Sequence, residues 1–153
     1  KKGILLASLV ADCAPILIAN ERLNFVGSIH AGWRGAFDGI LKNAFDFIKR
    51  RYGNNIQDTL VAIGPHISSK HLEFKDESLQ LWKNHFPDSV EERNGRFFIN
   101  ISKKLISDCH HFEIRNIWIS SECTYELSKK YFSHRRQQKL AGRQMGYIGF
   151  PSS

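Results

Sequence analysis

Apolar runs alternate with stretches of helical spacing along the chain, and the switches between the two periods place its elements. Residues 4–10 form an apolar run that predicts a buried strand, and residues 15–18 predict a second. The tetrapeptide Ala11-Asp12-Cys13-Ala14 makes a kink between them. The polar turn Asn20-Glu21-Arg22-Leu23-Asn24 separates 15–19 from 25–30, which predicts an antiparallel hairpin. Gly32, Gly35 and Gly39 then punctuate the change to a helix. Its apolar stripe, Phe37, Ile40, Leu41, Ala44 and Ile48, is spaced as one face of a 3.6-residue period. Lys49-Arg50-Arg51 complement the negative end of that helix, and Gly53 ends it.

Further on, 59–63 predicts a buried strand closed by Gly64-Pro65, and Asp76 is placed to cap a helix carrying Leu79, Trp82 and Phe86. Strands are expected at 96–100, 116–120 and 145–150, with a helix over 102–111 and a basic loop before the last strand. Strands interleaved with helices, one hairpin among them, predict a single α+β domain over 1–153, a layered mixed β-sheet with helices packed outside.

Composition narrows the picture. With 153 residues, 42% apolar and 24% charged, the chain is of ordinary globular type, which excludes disordered and fibrous classes. Its three cysteines, Cys13, Cys109 and Cys123, are too few and odd in number for a disulfide framework and favour a reducing, cytoplasmic compartment. Lys1-Lys2 ahead of the first apolar run imitates a secretion signal. That run is far short of the roughly 20 residues a membrane span needs, and Asp12 and Pro15 interrupt it, so no membrane partner is expected. The one methionine is Met145, so the chain does not open on a natural start, and we expect an N-terminal portion to be missing from it.

Candidate chemistry begins at Cys13 and His30. A hairpin turn centred between Glu21 and Arg22 sets these two residues opposite each other on one face, with Cβ atoms about 4.5–5.5 Å apart. That spacing suits two ligands of one zinc ion. It suits equally a thiolate–imidazolium nucleophile pair, or a buried thiol beside a strand-end histidine with no chemical role. The following Ala31-Gly32-Trp33-Arg34-Gly35 loop runs into a helix and offers backbone N–H groups and one guanidinium to an anion.

Six motifs together resemble the successive signatures of one family. They are Ala11-Asp12-Cys13-Ala14-Pro15, His30-Ala31-Gly32-Trp33-Arg34-Gly35, Ile63-Gly64-Pro65, Cys123-Thr124-Tyr125, Phe132-Ser133-His134-Arg135-Arg136 and Gly142-Arg143. The family is the laccase-domain proteins, formerly called multicopper polyphenol oxidases and now regarded as purine nucleoside phosphorylases. The resemblance implies the family's layered mixed-sheet fold and a zinc site of one cysteine and two histidines. It also implies phosphorolysis of adenosine, inosine and methylthioadenosine, with adenosine deamination as a side activity. The matching metal ligands are Cys13 and His30, and the family's other histidine lies upstream of the cysteine motif, before Lys1. His66 stands where the family commonly has cysteine, and 101–109 lacks its asparagine–arginine–glutamine pattern.

Roles are assigned on that basis. Arg34 and the Gly32–Gly35 backbone are phosphate-binding candidates, Asp12 orients a ligand from behind, and His66 is a candidate for lining the site. Residues 129–143 hold six lysines and arginines and no acid, nearly the whole net charge of +7. Phosphate or nucleoside handling by Arg136 and Arg143 is the expected use of that segment. A solvated surface loop and a nucleic-acid patch are the alternatives, although no nucleic-acid motif accompanies it. The rival functions are copper-dependent phenol oxidation, a cysteine hydrolase acting in peptidoglycan-precursor editing, and an inactive remnant. Zinc is expected ahead of copper, because multicopper chemistry needs more clustered ligands than this chain offers. Oligomeric state is not legible.

Overall fold

A computed structural model of the chain describes residues 3–151, so the Lys1-Lys2 pair lies outside the described residues. The first three apolar runs form β1 (Leu5–Val10), β2 (Ala14–Asn20) and β3 (Phe25–Ala31). β2 and β3 are the expected hairpin, but the register differs: His30 faces Pro15, and Asn20 faces Phe25. The reason lies in Asn20, which belongs to the strand and closes the turn. Its Oδ1 accepts from the Leu23 amide at 2.9 Å, and its Nδ2 donates to Thr59 Oγ1 at 3.1 Å. Asn24 takes a left-handed φ of +52°, leaving a four-residue turn over 21–24. The pairing is offset by two from the expected one, and an even offset preserves the face.

The central sheet runs β3-β2-β4-β8, where β4 is Leu60–Ile63 and β8 is Ile117–Ile119. β4 and β8 are parallel and the other pairings antiparallel. β1 pairs with β9 (Gln144–Gly149) in an antiparallel ribbon laid on the β2–β3 hairpin, with Ser8 and Ser28 hydroxyls bonded at 2.8 Å between them. β1 is not the buried strand expected from its composition. Ser8 and Val10 are buried, whereas Leu5 and Leu9 stay 65% and 58% exposed. A third, small antiparallel sheet, β5-β7-β6, combines β5 (Glu73–Phe74), β6 (Val90–Arg93) and β7 (Arg96–Ile99).

The expected first helix is two helices, α1 (Trp33–Phe37) and α2 (Ile40–Tyr52). Gly39, at φ +74°, breaks the run between them, a conformation that costs glycine least. α2 ends at Gly53 as expected. α3 (Glu77–His85) is capped by Asp76, which accepts from the Ser78 amide at 3.0 Å. α4 (Ile101–His111) is capped by Asn100, and α5 (His134–Gln137) is a single turn within the basic segment. Ala14, Ile16 and Ile18 of β2 form one buried cluster with Leu41, Phe45 and Ile48 of α2, Trp82 of α3, and Leu105 and Cys109 of α4. The layers are therefore ribbon, sheet and helices, an α+β arrangement as expected. All three cysteines are free thiols. Among the described residues, no helix is long and apolar enough to cross a membrane.

Candidate active site

A cavity of about 340 Å³ opens where the kink before β2, the β3–α1 junction and the basic segment meet. Ala11, Asp12 and Cys13 come from the kink, and His30, Gly32, Trp33 and Arg34 from the junction. Ile67, Leu72 and Ile101 give it an apolar wall, and His134, Arg135 and Arg143 close it from the basic segment. Cys13 and His30 thus share one cavity despite their changed register.

Asp12 holds this assembly in place. Its φ is +80°, a region that Asp and Asn tolerate better than most residues. Its buried carboxylate accepts from Thr124 Oγ1 at 2.7 Å, Ser133 Oγ at 3.0 Å and the Arg135 amide at 2.6 Å. Its carbonyl accepts from the Ile67 amide at 3.0 Å. One residue therefore ties three distant segments to the cysteine loop. Gly32 provides room for the thiol, because a Cβ at that position would lie 3.0 Å from Cys13 Sγ. Burial pushes the Cys13 thiol pKa up, the Asp12 charge adds to that, and Arg143 opposes it. That is the reverse of an activated nucleophilic cysteine.

The cationic groups are set differently. The Arg34 guanidinium lies over the Trp33 ring, 4.0 Å from its centroid. Arg143 donates to the carbonyls of Ala141 and Gly142 at 2.6 and 2.8 Å, which fixes its side chain near the rim. The other members of the basic segment have separate tasks. Lys130 pairs with Glu122. The Arg136 guanidinium is spent on the carbonyls of Thr124, Tyr125 and Tyr131, so it clamps the chain and is not among the cavity residues.

Two other expected residues also stand outside the cavity. His66 is buried, with Nδ1 2.8 Å from the Gly64 carbonyl oxygen and Nε2 2.8 Å from Ser102 Oγ. Burial lowers its pKa, and the Gly64 carbonyl opposes the shift. Gly35 sits within α1 against Ile40. Conversely, His134 and Arg135 line the cavity without having been expected there. The signal for them was Ser133, which caps α5 by accepting from the Arg136 amide at 3.2 Å and so starts a helical turn whose first two residues, His134 and Arg135, line the cavity.

Metal-holding capacity divides between two places. At the cavity, Cys13 and His30 offer two donors, His134 lines the same cavity without converging on them into a three-donor group, and the neighbouring Asp12 carboxylate is occupied by its three hydrogen bonds. Catalytic zinc normally takes three protein ligands, so the residues present make up part of a site. Among the described residues, three donors converge within 4.8 Å elsewhere, at His71, Cys123 and Glu126.

The sequence model of a family described as multi-copper polyphenol oxidoreductase laccase matches residues 1–151. A purine nucleoside phosphorylase of Clostridium acetobutylicum is 30% identical over 152 residues, covering 97% of this chain and 63% of that protein. The Escherichia coli purine nucleoside phosphorylase YfiH is 27% identical over 154 residues, covering 95% and 59%. Among solved structures, the Bacillus licheniformis hypothetical protein YfiH superposes with a TM-score of 0.90 at 30% identity, over 98% of this chain and 59% of that one. YlmD from Geobacillus stearothermophilus also gives 0.90, at 28% identity, over 99% and 59%. The chain spans about three fifths of the length of these relatives.

Proposed function

Because the chain belongs to the multi-copper polyphenol oxidoreductase laccase family, whose relatives include proteins named purine nucleoside phosphorylase, we propose that its cavity binds phosphate and a purine nucleoside for phosphorolysis. The observation that carries this reading is the convergence of Arg34, Arg135 and Arg143 on one cavity with an apolar wall. About 340 Å³ lies within the usual range of small-ligand sites, roughly 300–1,000 Å³.

In phosphorolysis an oxygen of hydrogen phosphate bonds to C1′ of the ribose as the C1′–N9 bond breaks, and the purine leaves with the electron pair and takes up the proton the phosphate gives up. Arg34 and Arg143 are suited to hold the phosphate, because a guanidinium matches its oxygens in bidentate fashion. Gly32 allows the backbone to come close to the same anion. Ile67, Leu72 and Ile101 offer the base a dry surface. Held in place by those guanidinium groups, the phosphate would set its negative charge against the sugar as it acquires oxocarbenium character, with no reorganisation needed at that moment. Asp12 acts as a positioning residue, since its bonds set Arg135 and the Cys13 loop.

A zinc ion, when bound through Cys13 and His30, would position substrate or activate water. Those two donors are fewer than catalytic zinc takes, so the steps above rely on the chain's own groups. The family resemblance supports adenosine, inosine and methylthioadenosine as substrates, with deamination of adenosine as a side activity. The rivals fit the site less well. Cys13 is half-buried beside the Asp12 carboxylate, and the two effects together hold its thiol pKa up and away from an activated nucleophile. Among the described residues no three donors converge in the cavity, whereas multicopper chemistry needs clustered ligands.

The decisive experiment incubates adenosine or inosine with the protein, with and without phosphate, and measures free purine base and ribose 1-phosphate. Phosphate-dependent release of both products is the expected result. Release of base without phosphate would replace the proposal with a hydrolase, and no release from folded, zinc-supplied protein would overturn it.

A further inference from the structure

We infer that His71, Cys123 and Glu126 form a second metal site, one that takes a single zinc ion outside the cavity. The three donor atoms lie within 4.8 Å of one another. His71 Nε2 is already 2.9 Å from Glu126 Oε1. Zinc bonds to sulfur at about 2.3 Å and to nitrogen or oxygen at about 2.0–2.2 Å, which in a tetrahedron separates donors by roughly 3.3–3.8 Å. A contraction of about an ångström therefore closes the set. One imidazole, one thiolate and one carboxylate make a donor set of zinc's borderline character, and the fourth position is left to water.

The scaffold holds these donors from both sides. Cys123 and Glu126 stand three apart in a turn closed by the Leu127 amide donating to the Cys123 carbonyl at 3.0 Å. His71 ends another turn, its amide donating to the Ser68 carbonyl at 3.1 Å. The two turns are joined directly: the Thr124 amide donates to the His66 carbonyl at 3.2 Å, and the Ser68 amide reaches Cys123 Sγ at 3.3 Å. The His71 ring stacks on Tyr125 with centroids 4.4 Å apart, which fixes its plane. Cys123 is buried, while His71 and Glu126 keep partial exposure, so an ion has a route in from solvent. Lys70 Nζ lies 3.8 Å from Glu126 Oε1, but its side chain is 68% exposed and free to turn into water.

Such an ion would brace the cavity from behind. Thr124, next to Cys123, donates to Asp12, and Leu72, next to His71, lines the cavity wall. Binding replaces the His71 Nε2–H bond to Glu126, its proton moving to Nδ1 or to solvent, and displaces the thiol proton of Cys123, so protons leave as zinc enters.

The test uses the C13S/H30A background, which removes the thiol and its companion imidazole and leaves His134 as a lone cavity imidazole, so its result is independent of the phosphorylase reading. After zinc loading and exhaustive dialysis, this variant should retain about one zinc per chain. Cobalt loading should give a near-ultraviolet thiolate-to-cobalt band. Adding C123S should abolish both signals. Adding H71Q or E126Q, at partly exposed positions that spare the core, should weaken zinc at least about tenfold. No retained zinc in the C13S/H30A background would overturn the inference, as would retention unchanged by H71Q and E126Q.

Discussion

At the scale of single residues, Asp12 carries more of the site than any other side chain. Its carboxylate satisfies two buried hydroxyls and the part-buried amide of Arg135. An unsatisfied buried donor costs about 1–3 kcal/mol, and alanine also resists a positive φ. D12A should therefore lower unfolding stability by about 3 kcal/mol or more in urea titrations. D12N keeps two acceptor sites and the backbone tolerance, and should lose about half of that. Equal losses in the two variants would show that the hydrogen bonds are incidental. The sequence marked Asp12 as an orienting residue, but its partners lie 112–123 positions away in the chain. No local pattern encodes such a contact. The same limit explains the missed pairing of Cys13 and His30. The register depended on Asn20 joining the strand, and Asn20 does so through Thr59, 39 residues on.

Elements were more legible than their partners, because period and caps are local. The hairpin, the Asp76 cap and the Gly53 stop all stand where the pattern puts them. The two-residue β5 and the four-residue β6 were not expected, since strands that short contain too few alternations to rise above a loop. α4 contains the feature least expected from an amphipathic pattern, a buried Lys104 bonded to Asp108 at 2.6 and 2.7 Å one turn later. Burial pushes the Asp108 carboxyl pKa up, opposed by Lys104 and then by Lys42 and His111, and a buried ion pair often fails to recover the desolvation of its charges. K104M should then cost about 3–5 kcal/mol by stranding a buried carboxylate. K104M/D108L should return stability to within about 1 kcal/mol of the original or above it. Thermal or denaturant unfolding of the three variants checks this, and a double variant as weak as the single one would show that the pair itself stabilises α4.

For the whole molecule, the question is where the net charge of +7 acts. The sequence located it in residues 129–143 without showing direction, because a loop's side chains have no period from which to read a face. The fold divides the segment: Arg135 and Arg143 face the cavity, Arg136 is bound to three carbonyls, and Lys130 is paired. Arg34 reaches the same cavity from a segment about a hundred residues earlier. If the cavity takes phosphate, the effect of removing charge must depend on position and not on total charge. A charge-assisted hydrogen bond contributes about 1.5–3 kcal/mol, so R34A or R143A should raise the phosphate KM about 10- to 100-fold, with a smaller effect on the nucleoside KM. K129Q/K139Q removes two charges, one more than either arginine variant, and should leave both constants within about twofold. Long-range attraction is screened beyond about 10 Å at 0.1 M salt, so added salt should reproduce only the small effect. If K129Q/K139Q and R143A raised the phosphate KM equally, the basic segment would be acting through net charge alone, and the cavity would lose its claim to the anion.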